Sequence, residues 1–188
     1  MTTTANEPLG RTARRCRLSV AGVAGGVGTT TVATAIGAVD RGVFVARPSD
    51  VLVCRATGDS LIRAGQAARL ITETTGRRPV LAVTAADAAG PSRPTTARLR
   101  LLAPHVAAVV VLPFVRRWRE LAVPLDEVRD LLTVPRTELP RRMRGYANAA
   151  HNLRAQRDNR SPAPTGRTGP PAGRLVRPAA TSILGRNP

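Results

Sequence analysis

One stretch decides the fold expected for this chain: Ala24-Gly25-Gly26-Val27-Gly28-Thr29-Thr30-Thr31. It stands between an apolar run, Leu18-Ser19-Val20-Ala21, and a helix-like segment that begins at Val32. A strand that turns through glycines into a helix can hold a phosphate group, because the backbone N–H groups of the turn converge at the helix N-terminus. The stretch therefore predicts the backbone of a phosphate-binding loop.

The cationic side chain of such a loop is missing. In the pattern G-x-x-x-x-G-K-[ST] a lysine follows the last glycine and contacts the β- and γ-phosphates, whereas Thr29 follows Gly28 here. No other lysine can replace it, since all 29 basic residues of the chain are arginine. A phosphate would have to bind through backbone amides and the hydroxyls of Thr29 and Thr30, and a purely structural turn is the open alternative. The candidate ligand-binding residues are Gly25, Gly26, Val27, Gly28, Thr29, Thr30 and Thr31.

With its flanking strand and helix, this loop resembles the KGGVGKTT loop of the ParA/MinD family. These deviant Walker ATPases position plasmids, chromosomes, division sites and polar machinery. The resemblance implies an α/β fold, ATP with Mg²⁺ as the ligand, and a homodimer that encloses nucleotide. Two later segments are also similar to the family: residues 50–61 to the strand and helix after its Walker B region, and Val110-Val111-Leu112-Pro113 to a late strand whose following loop lies near the adenine. The similarity extends over about residues 17–125.

The chain departs from the family where hydrolysis depends on particular side chains. The family's two lysines fall on Ala24 and Thr29, while Thr30 falls where a hydroxyl binds Mg²⁺. Ala46-Arg47-Pro48 stands where a switch aspartate would coordinate magnesium and water, and Thr84 stands where an asparagine often contacts the adenine. Because phosphoryl transfer requires positioned cations and a positioned water, the sequence predicts that ATP hydrolysis has been lost, and we name no catalytic residue.

The chain is strongly basic, with a formal net charge of +17 over 188 residues. Such a charge favours a polyanionic partner, because arginines neutralise phosphates and release counterions. A solvated helix surface is the open alternative, and the arginine bias of a GC-rich genome could supply the charge. The candidate contacts with DNA or an acidic protein form two clusters: Arg116, Arg117 and Arg119 around the only tryptophan, and Arg141, Arg142 and Arg144.

The cysteines and the hydropathy favour a cytoplasmic protein. Cys16 and Cys54 flank or lie in predicted strands, with no histidine or cysteine at metal-ligand spacing, so we interpret them as buried thiols in a reducing compartment. No apolar run approaches the ~20 residues of a membrane span. The alternative is a twin-arginine signal peptide, whose outline is present from Arg14-Arg15 to Ala33-Thr34-Ala35.

Alternating strand and helix patterns predict an α/β fold with a parallel sheet and flanking helices. With the resemblance, this becomes a truncated three-layer fold of the P-loop NTPase type. We expect strands at about 17–22, 43–46, 51–54, 79–83 and 107–112, and helices at about 29–40, 59–75, 95–102, from 124 onward, and 140–156. Apolar residues at helical spacing predict a buried face on two helices: Leu61, Ala64, Gly65, Ala68 and Ile71 on one, and Leu139, Met143, Tyr146, Ala150 and Leu153 on the other.

Composition divides the chain into three parts. Residues 1–15 are polar and threonine-rich, which predicts a disordered arm. Residues 16–157 carry the strand and helix patterns and are expected to form the α/β domain. Residues 158–188 are rich in proline, glycine and arginine without periodicity, which predicts a disordered tail.

Three functions are compatible with these features. The first is a catalytically degenerate ParA/MinD-like protein that serves as a binding or scaffolding partner in positioning, partition or related machinery. The second is a P-loop protein that binds ATP and Mg²⁺ weakly and hydrolyses ATP slowly or not at all. The third is a basic accessory protein that binds DNA. In each case the protein partner is not identified by the sequence, and a homodimer is compatible with the resemblance.

Overall fold

The computed structural model of the chain describes residues 17–158, with side chains to residue 156. The predicted arm at 1–15, Cys16 and the predicted tail beyond residue 158 lie outside this range. In the described part of the chain, five strands form one parallel sheet in the order β2-β1-β3-β4-β5. The strands are β1 (Ser19–Gly22), β2 (Val39–Val43), β3 (Val51–Arg55), β4 (Val80–Thr84) and β5 (Ala108–Leu112). The prediction of an α/β fold with a parallel sheet is confirmed.

Within residues 17–158, five helices flank this sheet: α1 (Thr29–Ile36), α2 (Gly58–Thr75), α3 (Arg93–Leu102), α4 (Pro124–Thr133) and α5 (Arg141–Asp158). Short 3-10 turns occur at Ala103–His105 and Arg116–Arg119. Helix α1 packs on α4 and α5, whereas α2 packs on α3. The helices therefore form two groups, which is consistent with three layers.

The core is built from small aliphatic side chains, as the composition requires. Strands β3 and β4 are buried almost from end to end, as expected where helices cover both faces of a parallel sheet. The two apolar helix faces predicted from the sequence are confirmed, because all ten of their residues are buried in α2, in α5 and just before α5. Helical periodicity thus located the two longest helices and the side of each that packs inward.

The predicted bounds of the first helix and the second strand are wrong. Helix α1 was expected to reach residue 40 but ends at Ile36, because Gly37 adopts a left-handed conformation (φ 64°) and its N–H bonds back into the last turn. Strand β2 was expected at 43–46 and lies instead at Val39–Val43. All five residues of β2 are exposed at the edge of the sheet, so no buried apolar run marked it in the sequence.

The order of the strands reverses direction between β1 and β3. The unit β1-α1-β2 extends to one side of β1, and residues 44–50 then carry the chain back to β3 on its other side. In open parallel sheets, ligands bind beyond the carboxyl ends of the strands at such a reversal. A ligand site is therefore expected at the carboxyl end of the boundary between β1 and β3, which we call the β1–β3 seam.

Candidate functional site

A cavity of about 270 Å³ lies beyond the carboxyl ends of the strands. One end is formed by the loop between β1 and α1 (residues 23–28, the glycine loop), together with Thr31 and Arg55. The other end is formed by the segment after β5 and by Tyr146 of α5. We call this space the carboxyl-edge cavity. It brings the predicted phosphate-binding loop together with residues from β3, β4 and the C-terminal helices.

The glycine loop has the predicted strand–turn–helix conformation. Gly26 and Gly28 adopt left-handed backbone angles (φ 72° and 90°), which side-chain-bearing residues rarely take. Gly28 precedes the first residue of α1, and its carbonyl accepts a hydrogen bond from the Val32 N–H at 3.0 Å. The loop therefore presents backbone amides at the N-terminus of α1, while Gly25 lies exposed beside it.

The three threonines after the loop point to different surroundings. The Thr29 side chain lies against the end of β1, since a Cβ atom placed on Gly22 would overlap its hydroxyl. The Thr30 hydroxyl donates to Asp40 Oδ2 at 2.7 Å. Only Thr31 lines the carboxyl-edge cavity. Phosphate binding by Thr29 and Mg²⁺ binding by Thr30 stay predictions, and the described residues contain no group of three or more histidine, cysteine or acidic residues that could hold a metal.

Asp40 of β2 stabilises a turn, because its Oδ1 accepts the Gly42 N–H at 2.7 Å. Its other oxygen, however, binds Thr30 from the neighbouring helix. A carboxylate thus stands beside the Thr30 hydroxyl, on a strand that hydropathy did not reveal.

Thr84 fixes the glycine loop from the end of β4. Its Oγ1 lies 3.0 Å from the Val27 carbonyl oxygen and 3.2 Å from the Cys54 carbonyl oxygen, and it can donate to either. The Thr84 methyl group lies 3.5 Å from the place where a Cβ on Gly28 would stand. Thr84 therefore supports the loop where β1, β3 and β4 meet, a role that the sequence did not indicate.

Arg55 supplies a positive charge that the sequence analysis missed. It is the last residue of β3, and its Nη2 lies 3.9 Å from the place where a Cβ on Gly26 would stand. Among residues 17–156, no group accepts a hydrogen bond from its guanidinium. The signal in the sequence was an arginine directly after four apolar strand residues, at the carboxyl end of a buried strand.

An aromatic wall, formed by Phe114, Trp118 and Tyr146, closes the other end of the cavity. The rings of Trp118 and Tyr146 meet edge to face, with centroids 4.6 Å apart. Trp118 Nε1 and the Tyr146 hydroxyl are both buried without a hydrogen-bond partner in the described part of the chain. Burial also raises the pKa of Tyr146, so its hydroxyl stays protonated and can donate.

Most of the arginines predicted to contact nucleic acid bind the protein's own groups. Arg116 pairs with Glu120 at 3.5 Å and Arg117 with Glu127 at 2.6 Å. Arg144 donates to the carbonyls of Leu139 and Thr137. Arg119 lines the cavity, with its guanidinium 4.7 Å from the centre of the Phe114 ring. Arg141 and Arg142 are exposed at the start of α5, and a nucleic-acid surface stays a prediction.

Cys54 is buried within β3. Burial raises the pKa of its thiol to about 12, because the thiolate would lose its hydration. The interpretation of Cys54 as a buried thiol is therefore confirmed, whereas Cys16 lies outside the described residues.

Comparison of the chain with protein-family models, with curated proteins and with solved structures gives no match in any of the three. Within residues 17–158, no helix combines the length and the apolar character that crossing a membrane requires.

Proposed function

We propose that this protein is a degenerate P-loop protein of the ParA/MinD type that binds a nucleotide without hydrolysing it. The observation that carries the proposal is the carboxyl-edge cavity, in which a glycine loop faces an aromatic wall. Backbone amides at a helix N-terminus favour an anion, and aromatic rings favour a flat ring system. A nucleotide carries both groups in one molecule.

The buried polar groups of the aromatic wall support a ligand over a purely structural turn. A buried donor without a partner costs roughly 1–3 kcal/mol, and two such groups belong to residues that line the same cavity. Neither atom is accessible from the cavity in this structure, so acceptors on a base or ribose would satisfy them after the aromatic side chains move to admit the ligand. The volume of about 270 Å³ lies just below the roughly 300–1,000 Å³ typical of small-molecule pockets, which suits one nucleotide better than a dinucleotide.

The residues around the loop favour binding without hydrolysis. No lysine is present to hold the β- and γ-phosphates, and the Thr30 hydroxyl is engaged by Asp40. Phosphoryl transfer depends on positioned cations and water. We therefore propose that the protein acts as a binding or scaffolding partner, with its nucleotide as a structural ligand.

Thermal unfolding with and without ATP and Mg²⁺ tests the proposal. A ligand that binds only the folded state stabilises it by about 2.7 kcal/mol at one hundred times its Kd, so the unfolding temperature should rise with ATP concentration. Gly28→Ala should abolish the rise. Gly76→Ala is the matched control, because Gly76 is also left-handed (φ 68°) but ends α2, outside the cavity.

Two results would contradict the proposal. An unfolding temperature that does not change with ATP, ADP or GTP would remove nucleotide binding. Release of phosphate from ATP at a rate that Gly28→Ala abolishes, and Gly76→Ala does not, would show that the protein is an active ATPase.

A further inference from the structure

We propose that Arg55 is the residue that binds the phosphates of the ligand, in place of the lysine that the glycine loop lacks. The inference rests on the proposed nucleotide binding and adds to it a phosphate-selecting side chain from a different strand. The charge would come from β3 instead of from the loop itself.

The register of the sheet places Arg55 above the glycine loop. Gly22, the last residue of β1, is paired with Val53 of β3. Arg55 lies two residues further along β3, or roughly 6–7 Å in the strand direction, where the chain of β1 has already turned into the loop. Its Nη2 consequently reaches within 3.9 Å of the place where a Cβ on Gly26 would stand. Because residue 26 has no side chain, no atom of that residue separates the loop backbone from the Arg55 guanidinium.

The backbone of Arg55 is fixed while its charged group is not engaged. The Arg55 N–H donates to the buried Ser60 Oγ at 2.9 Å, which ties the end of β3 to the first turn of α2. The nearby carboxylate of Asp59 is paired with Arg63 at 3.0 Å. No carboxylate among the described residues pairs with Arg55, so its charge is available to an anion in the cavity.

Guanidinium chemistry suits this role. The planar group offers two parallel N–H donors, which match two oxygens of a phosphate. Unlike the hydroxyls of Thr29 and Thr30, it also carries a full positive charge. Arg55 should therefore decide whether the cavity distinguishes a nucleotide from a nucleoside, while the aromatic wall, with its unpartnered Tyr146 hydroxyl, contacts the part that both share.

Isothermal titration with ATP, ADP and adenosine tests this division of roles. Arg55→Ala should weaken ATP and ADP binding by about ten- to hundredfold, the range of a charge-assisted hydrogen bond, and should leave adenosine binding unchanged. Arg55→Lys keeps the positive charge but lacks the two parallel N–H donors, so it should weaken ATP binding less than Arg55→Ala does. Arg69→Ala is the control, because it removes the same charge from an exposed site of α2 beside His105, outside the cavity.

The outcomes separate this inference from the function on which it rests. If the unmodified protein binds neither ATP nor adenosine, the proposed function fails. If it binds ATP and Arg55→Ala binds ATP equally well, nucleotide binding stands and the role of Arg55 is wrong. Equal weakening by Arg55→Ala and Arg69→Ala would show an effect of overall charge and would also overturn the inference. If Arg55→Ala does not fold, Arg55→Lys serves as the test. A weaker ATP affinity with an unchanged adenosine affinity would support the role of Arg55, and an unchanged ATP affinity would overturn it.

Discussion

The two ends of the β1–β3 seam differ in how completely the polar groups beside them are paired. At the amino end, the N–H and hydroxyl of Ser19 both donate to Asp50 Oδ2, at 2.9 and 2.8 Å. The Asp50 N–H lies within hydrogen-bond distance of Ser19 in return. At the carboxyl end, the exposed Arg55 guanidinium has no partner among the described residues, and the Tyr146 hydroxyl of α5, across the cavity, is buried without one.

This difference is consistent with a structural role for the amino end and with the ligand site that we propose at the carboxyl end. Reciprocal hydrogen bonds lower the free energy of the folded state and leave no group for a ligand. Buried polar groups without partners raise it, and folded proteins rarely retain them without a reason. The following four predictions test the contrast.

The largest effect on stability is expected at the amino end. Asp50→Ala removes a charged acceptor and leaves two donors of Ser19 without it, which should lower the free energy of unfolding by about 3 kcal/mol in urea denaturation. Asp50→Asn should cost less, because an amide oxygen can still accept from Ser19. Neither change should alter ATP affinity, and a weaker ATP affinity in folded Asp50→Asn would contradict the division between the two ends.

Removing the hydrogen bonds by which Thr84 supports the glycine loop should lower stability less than Asp50→Ala does, and should weaken ligand binding. Thr84→Val removes the donor shared by the Val27 and Cys54 carbonyls, and should cost about 1–2 kcal/mol in the same denaturation experiment. ATP binding should weaken, because the loop loses its anchor to β4. Thr74→Val is the control, since its exposed hydroxyl bonds only within α2. Equal changes in ATP affinity for the two variants would show that Thr84 does not position the loop.

A change in the aromatic wall should raise the stability of the protein without ligand and lower its affinity for ligand. Tyr146→Phe removes a buried hydroxyl without a partner, so the ligand-free protein should become about 1 kcal/mol more stable. The same change should weaken binding of both ATP and adenosine, because their common part would lose a donor. A variant that is less stable without ligand and binds normally would mean that the hydroxyl serves the fold.

The smallest effect concerns the buried thiol of Cys54. The pKa of Cys54 is raised to about 12 in the folded protein, against about 8.5 in an unfolded chain. Between these values the unfolded state binds fewer protons, so the free energy of unfolding should fall as pH rises. The expected fall is about 0.7 kcal/mol between pH 8 and 9, measured by urea denaturation of Cys16→Ser. Adding Cys54→Ala should remove this dependence, and an unchanged slope would assign it to another group.

Local patterns predicted the elements whose burial follows a simple period. The apolar stripe from Leu61 to Ile71 and that from Leu139 to Leu153 located two helices and their packed faces, and the glycines marked the turn after β1. Strand β2 was misplaced, because an edge strand with Asp40, Arg41 and Gly42 has no buried run to detect. Arg55, Thr84 and Asp50 were missed as site or seam residues for a different reason. Their roles depend on β1 lying beside β3. The order of strands in a sheet cannot be predicted from any single segment of the sequence.

The position of the cavity also has a consequence for how the chain acquires it. Residues 19–43 form one βαβ unit and residues 51–112 form a second set of consecutive units, each from neighbours in sequence. Contacts between near neighbours close early in folding, and distant ones later. The pocket should therefore form only when these two parts and the segment after β5, which carries the aromatic wall, have packed together. Ligand binding would then require the folded domain as a whole, and neither part alone should bind.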